Sequence, residues 1–77
     1  MRYHDGQLAQ LGDVVSLAGM VGKVVCSIDA GQYSDDYPEQ AWAYLQTGVM
    51  IDWDRQGLTH YERPEAGMML VGRLRQV

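Results

Sequence analysis

The run Lys23-Val24-Val25-Cys26-Ser27-Ile28-Asp29 constrains the fold of this chain more than any other stretch. Val24, Cys26 and Ile28 alternate with Val25 and Ser27, the two-residue period of a strand rather than the 3.6-residue period of a helix. The same alternation returns in short runs. Val15 and Leu17 alternate with Val14 and Ser16, and Val49, Ile51 and Trp53 alternate with Met50 and Asp52. Leu58 to Glu62 and a terminal run from Met68 to Val77 make five. Between the runs lie turn residues: Gly12-Asp13, the glycines 19 and 22 flanking a short connection, Asp54 to Gly57, and Pro64-Glu65-Ala66-Gly67. Asp5-Gly6 suits a type I′ turn or another tight turn with positive φ. Five short strands joined by tight turns predict a mainly β fold, a small SH3-like antiparallel β-barrel or roll forming one domain over residues 1–77. Closing such a sheet would cover edges that a chain of this size has little else to protect.

One segment breaks the pattern. Gln40 to Gln46 holds good helix formers, Pro38 suits a first helical turn, and Glu39 is favourable near a helix N-terminus. With Gly48 as the residue past its end, this predicts a short α-helix inserted near residues 38–46. Ala41, Tyr44 and Leu45 fall on one face at i, i+3 and i+4. Two turns are not stable alone, so the expectation is a lid that buries this face, with Trp53 in the core beneath it. Helical phase leaves Trp42 open between core and surface.

The net charge of −4 is unevenly placed. Between Lys23 and Arg55 there is no basic residue, and the interval holds Asp29, Asp35, Asp36, Glu39, Asp52 and Asp54. Five of the seven aromatic residues share that interval: Tyr33, Tyr37, Trp42, Tyr44 and Trp53. Aromatic rings stack on bases only where a positive groove holds the phosphates, so this pattern argues against nucleic acid, and Arg73 and Arg75 are too few to reverse it.

Metal and catalytic readings fail on spacing. The acidic stretch Asp29 to Asp36 lacks the alternating oxygen ligands of a calcium loop, because Gly31, Tyr33 and Ser34 stand where ligands belong. His4, His60 and Cys26 have no zinc-site spacing. Cys26 lies in an apolar strand with no cation or helix N-terminus to activate it, and His60 is expected half buried beside a polar partner. The chain is therefore read as non-enzymatic, without cofactor or metal. With Cys26 as its one cysteine it forms no internal disulfide. It shows no apolar run of signal-peptide type and no membrane-length segment, so the expected location is cytoplasmic, with no membrane contact.

A protein partner remains. Tyr and Trp dominate interface hot spots, and acids around them steer a basic partner. The candidate partner-binding residues are Tyr33, Asp35, Asp36, Tyr37, Glu39 and Trp42.

Two resemblances add to this reading. Gly12-Asp13-Val14-Val15-Ser16-Leu17 followed by Gly22-Lys23-Val24 resembles the opening of KOW and other SH3-like modules, which implies fold only. The order YHDG, LGDVVSL, GKVVCSID, YSDDYP, WAYL, GVMID and GLTHY resembles a group of short bacterial proteins. Some of these look like immunity proteins for antibacterial toxins of type VI, Rhs-type or contact-dependent systems. That resemblance implies a partner with a basic active-site cleft, and it carries over no functional residue position by position. The alternative is an SH3-like nucleic-acid- or ribosome-associated module.

Overall fold

A computed structural model describes residues 1–73 of the chain. Five strands form one antiparallel sheet: β1 (Asp13–Leu17), β2 (Met20–Ser27), β3 (Val49–Trp53), β4 (Gly57–Tyr61) and β5 (Met69–Arg73). The spatial order is β4-β3-β2-β1-β5. The chain meanders from β1 to β4, and β5 then returns to the free side of β1, the expected SH3-like arrangement. No ladder joins β4 to β5 among the described residues, so the sheet is a roll with two edges. The predicted extension of the last strand through Arg75 to Val77 lies outside the described residues.

In β1 and β3 the alternation decides the faces as read, with Val15, Leu17, Val49, Ile51 and Trp53 buried. β2 departs from the expectation at both ends. It begins at Met20, because Leu17 pairs with Met20 across a two-residue turn in which Ala18 and Gly19 have φ of 51° and 80°. Two successive positive φ values match the twist of the flanking strands, which is why this turn is so tight. Gly22 consequently lies inside the strand rather than in a connection. A Cβ there would stand 2.5 Å from the Trp53 ring, so the absence of a side chain is what lets that ring lie on β2.

Further along, a register shift between Val24 and Cys26 puts an extra residue, Val25, into the β2 ladder. Such a bulge breaks strict alternation. Ser27, placed by phase on the face opposite Val24 and Cys26, is fully buried and donates its hydroxyl to the Ala9 carbonyl at 2.9 Å. Cys26 is buried as expected, but it pairs with Met50 outside the main core cluster. Burial pushes its thiol pKa up, and the bond from the Met50 amide offsets this only in part.

The largest correction concerns what covers the core. The helical segment consists of one α-turn, α1 (Glu39–Trp42), followed by a 3-10 turn over Ala43–Leu45, and none of its residues is buried. Ala41 and Tyr44, expected under the lid, face solvent, Tyr44 with 72% exposure, and Leu45 is only half buried. The change from 3.6 to 3.0 residues per turn breaks the i, i+3, i+4 stripe. The segment ends on Gln46 with φ 69°, two residues before the expected Gly48. The place assigned to the lid belongs to the first nine residues and Met68. Met1, Tyr3, Ala9 and Met68 pack with Val15, Val24, Val49, Ile51, Trp53 and Tyr61 in the core.

That N-terminal arm turns back at Gly6, whose φ is 90°, with Arg2 bridged to Leu8. Asp5 accepts from the backbone and side-chain nitrogens of Gln7, which holds its carboxyl below the usual range. Buried Asp13 then fastens the arm to the sheet. Its carboxylate accepts from the Tyr3 hydroxyl at 2.7 Å and from the Gln10 amide at 2.9 Å, and it pairs with Arg73 Nε at 3.2 Å. A buried carboxylate is tolerated only when its oxygens are bonded in this way.

Candidate functional site

Residues 28–48 leave the sheet between β2 and β3 and carry all six candidate residues. The excursion is stapled at its root. Ser27 and Gln32 exchange both backbone bonds at 2.9 Å, and the Ile28 amide donates to the Gly48 carbonyl at 2.9 Å. Gln32 also reaches the N-terminal arm, accepting from the Leu11 amide at 2.8 Å. On the return side, His60 Nε2 bonds the Thr47 carbonyl at 2.8 Å, the half-buried site with a polar partner that was expected. Gly48 completes the anchor. Its φ of +94° favours glycine, and a Cβ would collide with the Tyr61 carbonyl oxygen.

Above this root the chain makes a second tight turn. Ser34 and Tyr37 exchange backbone bonds at 3.1 Å each way, which sets Asp35 and Asp36 at the tip, both exposed. Pro38 follows with extended backbone and leads into α1, so Glu39 lies exposed in the first turn. Tyr37 and Trp42 are half buried and pack on one another, with ring centroids 6.1 Å apart and planes tilted by 40°. The ambiguity over Trp42 is thereby resolved: it supports Tyr37 rather than the core. Tyr33, also half buried, has its phenol pushed up by partial burial and then by the charge of Glu39.

The six predicted residues thus form one loop surface. Among the described residues the ion pairs are the Met1 amino group with Asp29 and Arg73 with Asp13, so Asp35, Asp36 and Glu39 take part in neither. No group of three or more His, Cys, Asp and Glu side chains is gathered there to hold a metal ion among those residues. Among them, too, no helix is long and apolar enough to cross a membrane.

The other wall of this surface is not legible in the sequence. A cleft of about 240 Å³ runs between the acidic turn and the sheet, with Ser34, Asp36 and Tyr37 on one side and Leu11, Lys23 and Val25 on the other. Strand phase alone gives no signal for it. The bulge at Val25 and the Leu11–Gln32 bond create it, and both are tertiary events. Lys23, which marks the edge of the acidic interval in sequence, is a wall of that interval's cleft in space.

Comparisons of this chain with family models, with curated proteins and with solved structures gave no match.

Proposed function

We propose that this protein acts by binding, without chemistry of its own, and that the loop from Tyr33 to Trp42 is the surface that meets a basic protein partner. The observation that carries the reading is the turn at Asp35 and Asp36. It presents carboxylates outside any ion pair among the described residues, beside a half-exposed Tyr37–Trp42 pair. Carboxylates held this way accelerate encounter with a positive surface, and rigid aromatic rings supply contact area at small entropic cost. Taken with the resemblance to toxin-immunity proteins, the reading extends to an inhibitor that occludes the basic active-site cleft of a cognate antibacterial toxin.

The test is a pull-down from the native organism with the wild-type chain and with Asp35→Lys plus Asp36→Lys. A co-purifying toxin that the wild type neutralises and the double variant does not is the expected result. Retention of that toxin at unchanged affinity by the double variant removes the loop from the mechanism. RNA or DNA bound at physiological salt instead overturns the reading in favour of a nucleic-acid module.

A further inference from the structure

The cleft beside the acidic turn has a size and a lining that specify what enters it. At about 240 Å³ it falls below the roughly 300–1,000 Å³ of sites that enclose a small molecule, and it suits one inserted side chain. Its lining is mixed: Leu11, Val25 and Tyr37 contribute apolar surface, and Lys23, Ser34 and Asp36 contribute polar groups. The Tyr37 ring also packs on Trp42, with ring centroids 6.1 Å apart. Asp36 stands on the loop wall, exposed.

A cleft of mixed lining, with Tyr37 on one wall and a carboxylate at its rim, matches a long cationic side chain. The methylene stem lies on apolar surface while the charged head reaches the acid. Arginine fits better than lysine. Its planar guanidinium stacks on an aromatic ring and meets a carboxylate through two parallel N–H bonds, whereas an ammonium is a compact, strongly hydrated point charge. Lys23 on the opposite wall sets the direction. It sits across the ladder from Asp52 and repels a second cation, so the guanidinium is driven to the Asp36 side. Asp36 and Lys23 are the charged residues of the lining, and the exposed Asp35 and Glu39 of the adjoining loop give the surroundings an excess of acid that favours a cationic occupant.

We propose that this cleft seats a single arginine side chain of the partner protein, its stem on Leu11, Val25 and Tyr37 and its guanidinium on Asp36. The inference rests on the reading of the loop as a partner surface and adds to it the residue that the partner presents.

The experiment is an amide NMR titration of the full ¹⁵N-labelled chain with the capped tripeptide Ac-Gly-Arg-Gly-NH2, run beside its lysine and citrulline counterparts. The expected result is saturable shifts confined to Leu11, Gly12, Val25, Ser34, Asp36 and Tyr37. The citrulline peptide, with the same shape and no charge, binds about tenfold more weakly, and Asp36→Asn lowers arginine binding by a similar factor while leaving the remaining spectrum in place. Equal responses to arginine and lysine, shifts spread over distant acids such as Asp52 and Asp54, or no response at all each overturn the seat. In the pull-down, a toxin that needs Asp35 and Asp36 together but tolerates Asp36→Asn with Tyr37→Leu removes the seat and leaves the partner surface standing. Loss of any loop-dependent partner removes that surface without touching the peptide result.

Discussion

Tyr3 donates its hydroxyl to the carboxylate of Asp13 across 2.7 Å of buried space, and this bond holds the N-terminal arm in the core. Asp13 is 1% exposed, and the same carboxylate also serves the Gln10 amide and Arg73. Tyr3→Phe keeps the ring and leaves a buried carboxylate short of one donor. The expected loss is roughly 1–3 kcal/mol in urea unfolding, with the slope of the transition unchanged. A cost below about 0.3 kcal/mol would remove Tyr3 from this role.

The same bond predicts a pH dependence with a definite sign. Burial first, and then the bond to Asp13, raise the Tyr3 phenol above its ordinary value. The folded state therefore keeps a proton that the unfolded chain releases near pH 10. Stability from this group is complete below about pH 10 and declines as pH rises beyond it. Unfolding followed between about pH 9 and 11 should show a steeper decline for the wild type than for Tyr3→Phe. Parallel curves for the two proteins would contradict the assignment.

Three glycine substitutions separate packing from propensity. Gly22→Ala puts a methyl group 2.5 Å from the Trp53 ring and 2.7 Å from Ile51, an overpacking that costs about 1–3 kcal/mol. Gly48→Ala adds backbone strain at φ +94° to a clash with the Tyr61 carbonyl, and it should destabilise at least as much. Gly72→Ala, with nothing among the described residues within 4 Å of the new carbon, stays within about 0.5 kcal/mol of wild type. Thermal unfolding of the three ranks them, and equal melting points would refute the close approach of Trp53 to β2.

Cys26 should be silent in the native state. It is fully buried and its thiol is raised by that burial, so little thiolate is present and reagents have no path to it. Labelling by an aromatic disulfide is expected to be about a hundredfold or more slower than in denaturant, at a rate that tracks unfolding. Rapid native labelling would place the thiol at the surface.

The two tryptophans report on the loop. Trp53 is 2% exposed and bonded through Nε1 to the Tyr61 hydroxyl, whereas Trp42 is half exposed and packs on Tyr37 in the loop that carries Asp35, Asp36 and Glu39. At low ionic strength, caesium should quench the accessible emission about twofold better than iodide, after correction to free tryptophan. Asp35→Asn plus Asp36→Asn should abolish that preference, and Trp42→Phe should leave emission that neither ion quenches. Equal quenching by both ions in the wild-type protein would show that the turn sets no local field.

The strands are legible because burial on one face writes a two-residue period into the chain; β1 follows it residue by residue, and β3 follows it except at Met50, which is buried on the opposite face. The glycine-rich turns are legible because few other residues adopt positive φ, although Gly22 lies inside β2, where it admits the Trp53 ring rather than forming a turn. The candidate loop was found through charge and aromatic content, which need no coordinates. Its cleft was not found, because Leu11 and Lys23 lie far from Asp36 in sequence and meet it only after Gln32 ties the loop to the arm.

What the sequence determined by itself is therefore local: the buried face of β1 and β3, several of the tight turns, and the segregation of acids and rings into one interval. What only the tertiary structure decided is competition for the apolar side of the sheet. Two short segments were available to cover it. The arm of Met1, Tyr3 and Ala9 covers it because Asp13 offers that arm a buried, fully bonded anchor, and the helical segment, a single α-turn followed by a 3-10 turn, is left outside. Exclusion from the core is what leaves Tyr37 and Trp42 half buried at the surface, on the loop that carries Asp35, Asp36 and Glu39.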